Sequence, residues 1–328
     1  MSQRASGTFA GLIDGTFGLL RQTWKTTLAC GGIAFLPVAA LYGWAYGRLF
    51  DVYASILPAA EDAPLSSVSA VVTAFAWILF AVLVQGFAVL FVRSCVTARA
   101  ASAVRGRSVA VPAIAARVVG QDGARLLGQR VLQGLVYAGA MLAVAAALAI
   151  VVTIVVASVG GFGAITDTTG LSIGLVLLAY LAGIAAWVWL WMRFSLTLET
   201  MVIDGSRARQ SFGLSASLVR GGWWRVFGYR FLFGLMLGFA ASLIATPIVF
   251  FATIRAYARY LAEMVQGTAD AGSFVDMLRT MGSGLSVRLA IFLYLSTLLK
   301  AFFAPVFMTL LYFAMKQRKA EASRQAGS

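Results

Sequence analysis

Of 328 residues, 61% are hydrophobic and 12% charged, with a mean hydropathy of +0.88, whereas a soluble domain is about 45–50% apolar and about 25% charged. That balance excludes an ordinary water-soluble fold and calls for one embedded in lipid. The net charge of +14 would suggest nucleic acid in a soluble chain; here its distribution reads as membrane orientation, and no nucleic-acid partner is expected.

The chain opens on an amphipathic stretch bearing Arg21, Trp24 and Lys25, and its first apolar run begins only near residue 28. No small-residue cleavage pattern follows a short core, so no cleaved signal is expected. The run 28–50 is the first of six long enough to cross a bilayer, which takes about 20 helical residues. The others lie near 70–98, 131–158, 172–200, 229–254 and 288–315. Residues 51–69, with the neighbouring acids Glu61 and Asp62, read as an irregular solvated connection. Gln85 is the polar residue at depth in the second span, expected to hydrogen-bond to another helix. Cys30 and Cys95 read as small packing residues in a reducing setting. Gly43 with Gly47, and Gly234 with Gly238, have a spacing that permits close helix contact.

Residues 111–130 are again basic and amphipathic and lead into the third span. The connection 159–171 holds Gly160, Gly161 and Gly163 with no strand before them, which makes it a turn. Past the fourth span come Glu199 and Asp204. Glu199 is expected to salt-bridge to the arginines of 207–230, tying that span to the helix that follows. A helix over 207–220 puts Phe212, Leu214, Ala216, Leu218 and Val219 on one arc, with Arg209, Ser217 and Arg220 opposite. This is the pattern of a helix lying at a membrane interface. Gly221 and Gly222 end it. Trp223 and Trp224 follow at headgroup depth, where such rings are enriched, with Arg220, Arg225 and Arg230 toward the phosphates. Residues 255–287 read as two short amphipathic helices. The sixth span contains Lys300, which either snorkels or lines a cavity as a counter-charge. Phe292, Phe302, Phe303, Phe307 and Phe313 crowd that helix, which favours the cavity.

Twenty of the 26 Lys and Arg fall in 1–27, 93–130, 193–230 and 316–328. Cytoplasmic segments carry the Lys/Arg excess, so both termini are expected on the cytoplasmic side. The expected partners are membrane lipids, above all anionic headgroups of the cytoplasmic leaflet, and a membrane-protein partner. The stretch LLRQTWK (19–25) anticipates LVRGGWWR (218–225), and 111–130 stands in a comparable place without Trp. The predicted fold is an all-α membrane bundle in one domain, 1–328. Its six spans form three parallel hairpins, each preceded by an interfacial amphipathic helix.

There is no histidine, which removes Ser-His-Asp hydrolysis and His-ligated haem or zinc. Two cysteines do not hold an iron–sulfur cluster, and no G-x-x-x-x-G-K-[ST] occurs. No cofactor, metal or catalytic residue is expected.

The stretch MVIDGSRARQSFGLSASLVRGGWWRVFG (201–228), with APVFMTLLYFAMKQRK (304–319), resembles the membrane domain attached to some bacterial glycerophosphoryl diester phosphodiesterases and related stand-alone inner-membrane proteins. The resemblance is sharp over Ser215 to Gly221, over 224–228 and over 310–319. It departs at Ala314, where the family tends to have aspartate. It implies a six-helix membrane domain without a known molecular activity. The diesterase chemistry belongs to a separate soluble barrel that uses histidines, and this chain has none.

Two readings of function follow from the residues. One is a non-enzymatic membrane module, a scaffold or anchor that organises lipid or a partner. The other is a carrier for a lipid or small anion, with Lys300 facing its cavity. An intramembrane enzyme acting on lipid is the weakest, for want of an acid/base pair set among other polar groups.

Overall fold

The computed structural model describes residues 8–59, 64–120, 122–158, 169–268 and 270–325. Glu61, Asp62, Gly160, Gly161 and Gly163 lie outside the described residues. Every element among those described is a helix: α1 (Phe9–Thr27), a π-turn (Leu28–Gly32), α2 (Ile33–Ala59), α3 (Pro64–Val104), α4 (Val111–Gly120), α5 (Gly123–Ser158), α6 (Thr169–Arg193), α7 (Thr197–Asp204), α8 (Ala208–Val219), α9 (Trp223–Val265) and α10 (Ala271–Gln325). Six segments are long and apolar enough to cross a membrane: Phe9–Ser55, Ser69–Val104, Gly123–Val151, Tyr180–Asp204, Trp223–Ile248 and Ser286–Gln325. In hydrocarbon each backbone N–H and C=O needs a partner within the chain, and a helix supplies it locally.

Several boundaries differ from the sequence reading. Residues 51–59 and 64–69 continue α2 and α3 rather than forming an irregular connection. The basic stretch 111–130 is divided: α4 ends at Gly120, and Gly123 onward is the start of α5. The two short helices expected over 255–287 are the ends of long ones, since α9 runs unbroken to Val265 and α10 starts at Ala271. Gly267 makes the reversal at φ +70°, a conformation that costs glycine little. Apolar periodicity marks where a helix meets lipid, but helix propensity and i→i−4 bonds carry it past that point.

The helices cluster in two compact units. One is Met1–Val119 with Arg230–Leu310; the other is Gly120–Tyr229 with Leu311–Ser328. The division falls among the spans themselves.

In the first unit α2 packs on α3 around Val38, Tyr42 and Ala81. Tyr42 Oη donates to Gln85 Oε1 (2.8 Å), and Gln85 Nε2 donates to Thr297 Oγ1 (3.4 Å). Gln85 therefore joins α2, α3 and α10, the role expected of it. A Cβ on Gly43 would stand 3.0 Å from Ala290 Cβ and 3.1 Å from the Ser286 carbonyl oxygen, so α2 and α10 are nearly in backbone contact there. Gly47 is in ordinary contact, and Gly234 and Gly238 face open space. Only the first glycine pair meets a neighbouring helix.

The buried face of α1 consists of Leu12, Thr16, Leu19, Thr23, Thr26 and Thr27. Three of its hydroxyls turn back to the preceding helical turn: Thr16 to Leu12 O, Thr23 to Leu19 O and Thr27 to Thr23 O. Threonine thus packs as a small group with its polar atom satisfied. Phe17 meets Phe303 edge-on at 5.8 Å, and Phe307 stacks on Phe233 at 3.9 Å. Phe307 is fully buried there and Phe303 partly so. Cys30 and Cys95 are buried free thiols.

In the second unit α5 packs on α6, close enough that a Cβ on Gly183 would meet Val144 Cγ1 at 2.5 Å.

Candidate functional site

The residues singled out around the Trp pair lie in the second unit, where α6, α7, α8 and α9 succeed one another over short turns. α6 ends at Arg193, and α7 is stopped by Gly205 at φ +68°, whose N–H donates to Met201 O. A left-handed glycine just past a helix is a recurrent terminator. The Gly205 carbonyl accepts from Arg125 Nη2 (3.1 Å), and Ser206 Oγ donates to Thr200 O (3.1 Å). α8 then begins after Arg207, whose N–H is taken by Gln210 Oε1 (3.3 Å).

The face that α8 buries is Ser211, Ser215, Leu218 and Val219, while Leu214 is exposed. Leu218 and Val219 belong to the apolar arc read from the sequence; Ser211 and Ser215 do not. Hydrogen bonding explains why Ser215 is buried. Ser215 Oγ accepts from the Leu196 N–H (3.2 Å) and donates to Arg193 O (3.0 Å), satisfying two backbone groups at the α6–α7 junction. A burial pattern read from apolarity does not register a serine used this way.

Where α6 ends, α8 ends and α9 begins, a cleft of about 150 Å³ opens, lined by Trp189, Arg193, Ala216, Val219, Arg220 and Trp223. The Arg193 guanidinium sits 4.8 Å from the centroid of Trp189, within the range of a cation–π contact. The Trp223 ring stacks on Phe227 (5.3 Å) and meets Trp224 edge-on (4.7 Å). Its Nε1 is buried without a hydrogen-bond partner among the described residues. Two cations, two indoles and no acid make a wall suited to an oxyanion.

A second polar cluster ties the end of α10 to the same unit. The Tyr312 hydroxyl donates to Asp204 Oδ2 in a short hydrogen bond, and Lys316 Nζ donates to Asp204 Oδ1 (2.8 Å) and to Tyr312 Oη (3.3 Å). Lys319 Nζ donates to Ser217 Oγ (3.0 Å). A Cβ on Gly222 would stand 3.0 Å from Met315 Cε. The two stretches that carry the family resemblance, 201–228 and 304–319, therefore meet through Asp204, Tyr312, Lys316 and Ser217.

Of the predicted residues, Arg220 and Trp223 line the cleft, and Trp224 (77% exposed) and Arg225 are exposed beside it. Arg230, half-buried on α9, belongs to the first unit. There too, Arg21, Trp24 and Lys25 lie on the exposed side of α1, with Lys25 Nζ 5.7 Å from the Trp24 ring centre. Glu199 is fully buried on α7. The acid read as its plain neighbour, Asp204, is the one seated among polar groups. Lys300 is exposed on α10, while Ser296 and Thr309 are buried. Trp189, Arg193, Ser215, Tyr312 and Lys316 were missed. The repeated Trp in WVWLWMR, just before Arg193, was the available signal. Among the described residues no group of three His, Cys, Asp or Glu could hold a metal.

Compared with known proteins, the chain matches no family model, no curated protein and no solved structure.

Proposed function

We propose that this chain is a non-enzymatic multi-pass module of a bacterial inner membrane that holds and organises anionic phospholipid on the cytoplasmic leaflet, for itself or for a membrane-protein partner. In this reading the six candidate spans form three hairpins. Both termini are cytoplasmic, and α1, the α4 region and α8 meet the headgroups before spans one, three and five. The same reading sets the chain beside the membrane domain of the glycerophosphoryl diester phosphodiesterases, without their soluble barrel. One observation carries it: indole rings and cations stand together and exposed beside two apolar runs, Trp24 with Arg21 and Lys25 on α1 just ahead of the run that begins near residue 28, and Trp224 with Arg225 at the start of α9. Indoles favour the headgroup layer, and each nearby cation contributes about 1 kcal/mol toward an anionic surface.

A buried Lys300 facing a cavity would favour the carrier reading; its side chain is exposed on α10, which agrees with a lysine that snorkels. Catalysis by Asp204 is disfavoured because its carboxylate is occupied by Tyr312 and Lys316.

The test is reconstitution of the full chain in phosphatidylcholine vesicles with and without phosphatidylglycerol. Retention of phosphatidylglycerol through purification, with leaflet exchange of labelled lipid no faster than in protein-free vesicles, is the expected result. Lys300→Met should leave that retention unchanged. Accelerated exchange that is lost in Lys300→Met would replace this reading by the carrier.

A further inference from the structure

We propose that the cleft between the ends of α6 and α8 and the start of α9 is a discrete site for one phospholipid, with the phosphodiester between Arg193 and Arg220 and an acyl chain along α6. The proposal rests on the headgroup reading above and sharpens it from a diffuse attraction to a stoichiometric site.

The cleft's size and chemistry agree with this ligand. The cleft, of about 150 Å³, has room for a phosphodiester group. Arg193 and Arg220 each present a planar fork of N–H donors that matches a phosphate edge. No residue lining the cleft is acidic. The buried Trp223 Nε1–H can only donate, and it has no acceptor among the described residues. A buried donor left without a partner is costly, which marks the start of α9 beside the cleft as locally unsatisfied. Trp223 is also the first residue of α9, so the partial positive charge of a helix N-terminus lies in the same wall.

The outer surface of α6 identifies the phosphate as that of a lipid and not of a soluble ester. Leu177, Leu181 and Trp189 are each about half exposed. With Ala185, also exposed, they form a ladder at four-residue spacing that ends at Arg193. Residues four apart are adjacent, and their row winds around the helix at about 26° to its axis. This apolar ridge leads away from Arg193 along the span, as an acyl chain requires and glycerol phosphate does not.

The test measures phosphatidylglycerol bound per chain by native mass spectrometry, using the full-length protein in phosphatidylcholine nanodiscs titrated with phosphatidylglycerol. One molecule should stay bound at low titrant. Arg193→Gln and Arg220→Gln should each weaken its retention about tenfold, the scale of losing one charge-assisted contact. Arg209→Gln, an exposed change on α8 away from the cleft, should leave it intact. Because Arg193 also packs on Trp189, Arg193→Lys serves as the folding-neutral variant: it keeps the charge, loses the fork and should lose part of the retention. Equal losses from Arg209→Gln and Arg220→Gln would overturn the discrete site while leaving the headgroup reading standing. Failure of the wild-type chain to retain any phosphatidylglycerol would overturn both. Displacement of the lipid by millimolar glycerol 3-phosphate or inorganic phosphate would overturn the lipid as the ligand.

Discussion

The two units hold their helices together by different chemistry. In the first, polar atoms are mostly consumed within their own helix, as with Thr16, Thr23 and Thr27 on α1, and helices approach through small residues such as Gly43. One side chain, Gln85, bridges three helices. In the second, cross-element ties dominate: Ser215 to the α6–α7 junction, Gln129 Nε2 to Thr197 Oγ1 (3.0 Å), and Asp204 to Tyr312 and Lys316. The first pattern suits hydrocarbon, where close van der Waals contact drives association and unsatisfied polar groups are costly. The second suits the end of a bundle, where charged side chains reach water and headgroups. The candidate lipid cleft lies in the second, where the turns between α6, α8 and α9 bring two arginines and two indoles together.

The largest expected effect tests whether backbone proximity sustains the first unit. Gly43→Val should destabilise it by about 3 kcal/mol, since the added atoms meet the Ser286 carbonyl and Ala290, which are not free to move aside. Gly234→Val, facing open space, should leave the melting temperature in detergent unchanged. Equal effects would mean that small-residue packing at Gly43 does not distinguish this unit.

Next comes the second unit's clamp. Ser215→Ala leaves the buried Leu196 N–H without its acceptor and should cost about 2 kcal/mol in unfolding free energy. Loss of amide protection should be confined to residues around 193–200. If protection there stayed at the wild-type level, the cross-element tie would not be what holds that junction.

Gln85→Leu should cost less, about 0.6 kcal/mol, the average for a hydrogen bond between membrane helices. The removed amide also spares desolvation. A loss as large as that of Ser215→Ala would show that the first unit depends on its polar bridge and not on packing.

The smallest effect is at the exposed start of α10. The Ser273 N–H donates to Asp270 Oδ1 (2.7 Å) and holds that carboxylate below its ordinary 3.8. A folded-state value below the unfolded one gives stability that is present above the unfolded value and lost as pH falls through the folded one. Amide protection of residues 272–274 should therefore decline below about pH 4, and Asp270→Ala should show the reduced protection at neutral pH. No change should reach α5 or α6.

The existence and number of the spans were legible in the sequence, because crossing hydrocarbon demands a long apolar run and backbone satisfaction demands a helix. Gln85 was legible for a related reason: a lone amide at depth needs a partner. The exposed Trp and cation groups at 21–25 and 223–225 were legible from their clustering beside apolar runs. The ends of α9 and α10 were not, since helix propagation does not stop where hydropathy does. The tertiary structure alone decided that Gly43 and not Gly234 meets a neighbour, because contact depends on which helix comes alongside. It left Lys300 exposed and seated Asp204 against Tyr312, more than a hundred residues away. It buried Ser215 of α8 where its hydroxyl meets two backbone groups at the α6–α7 junction. Local composition settles what a segment is in the membrane; which polar atoms meet depends on chain folded from far away, and so Arg193 and Arg220 became neighbours only in three dimensions.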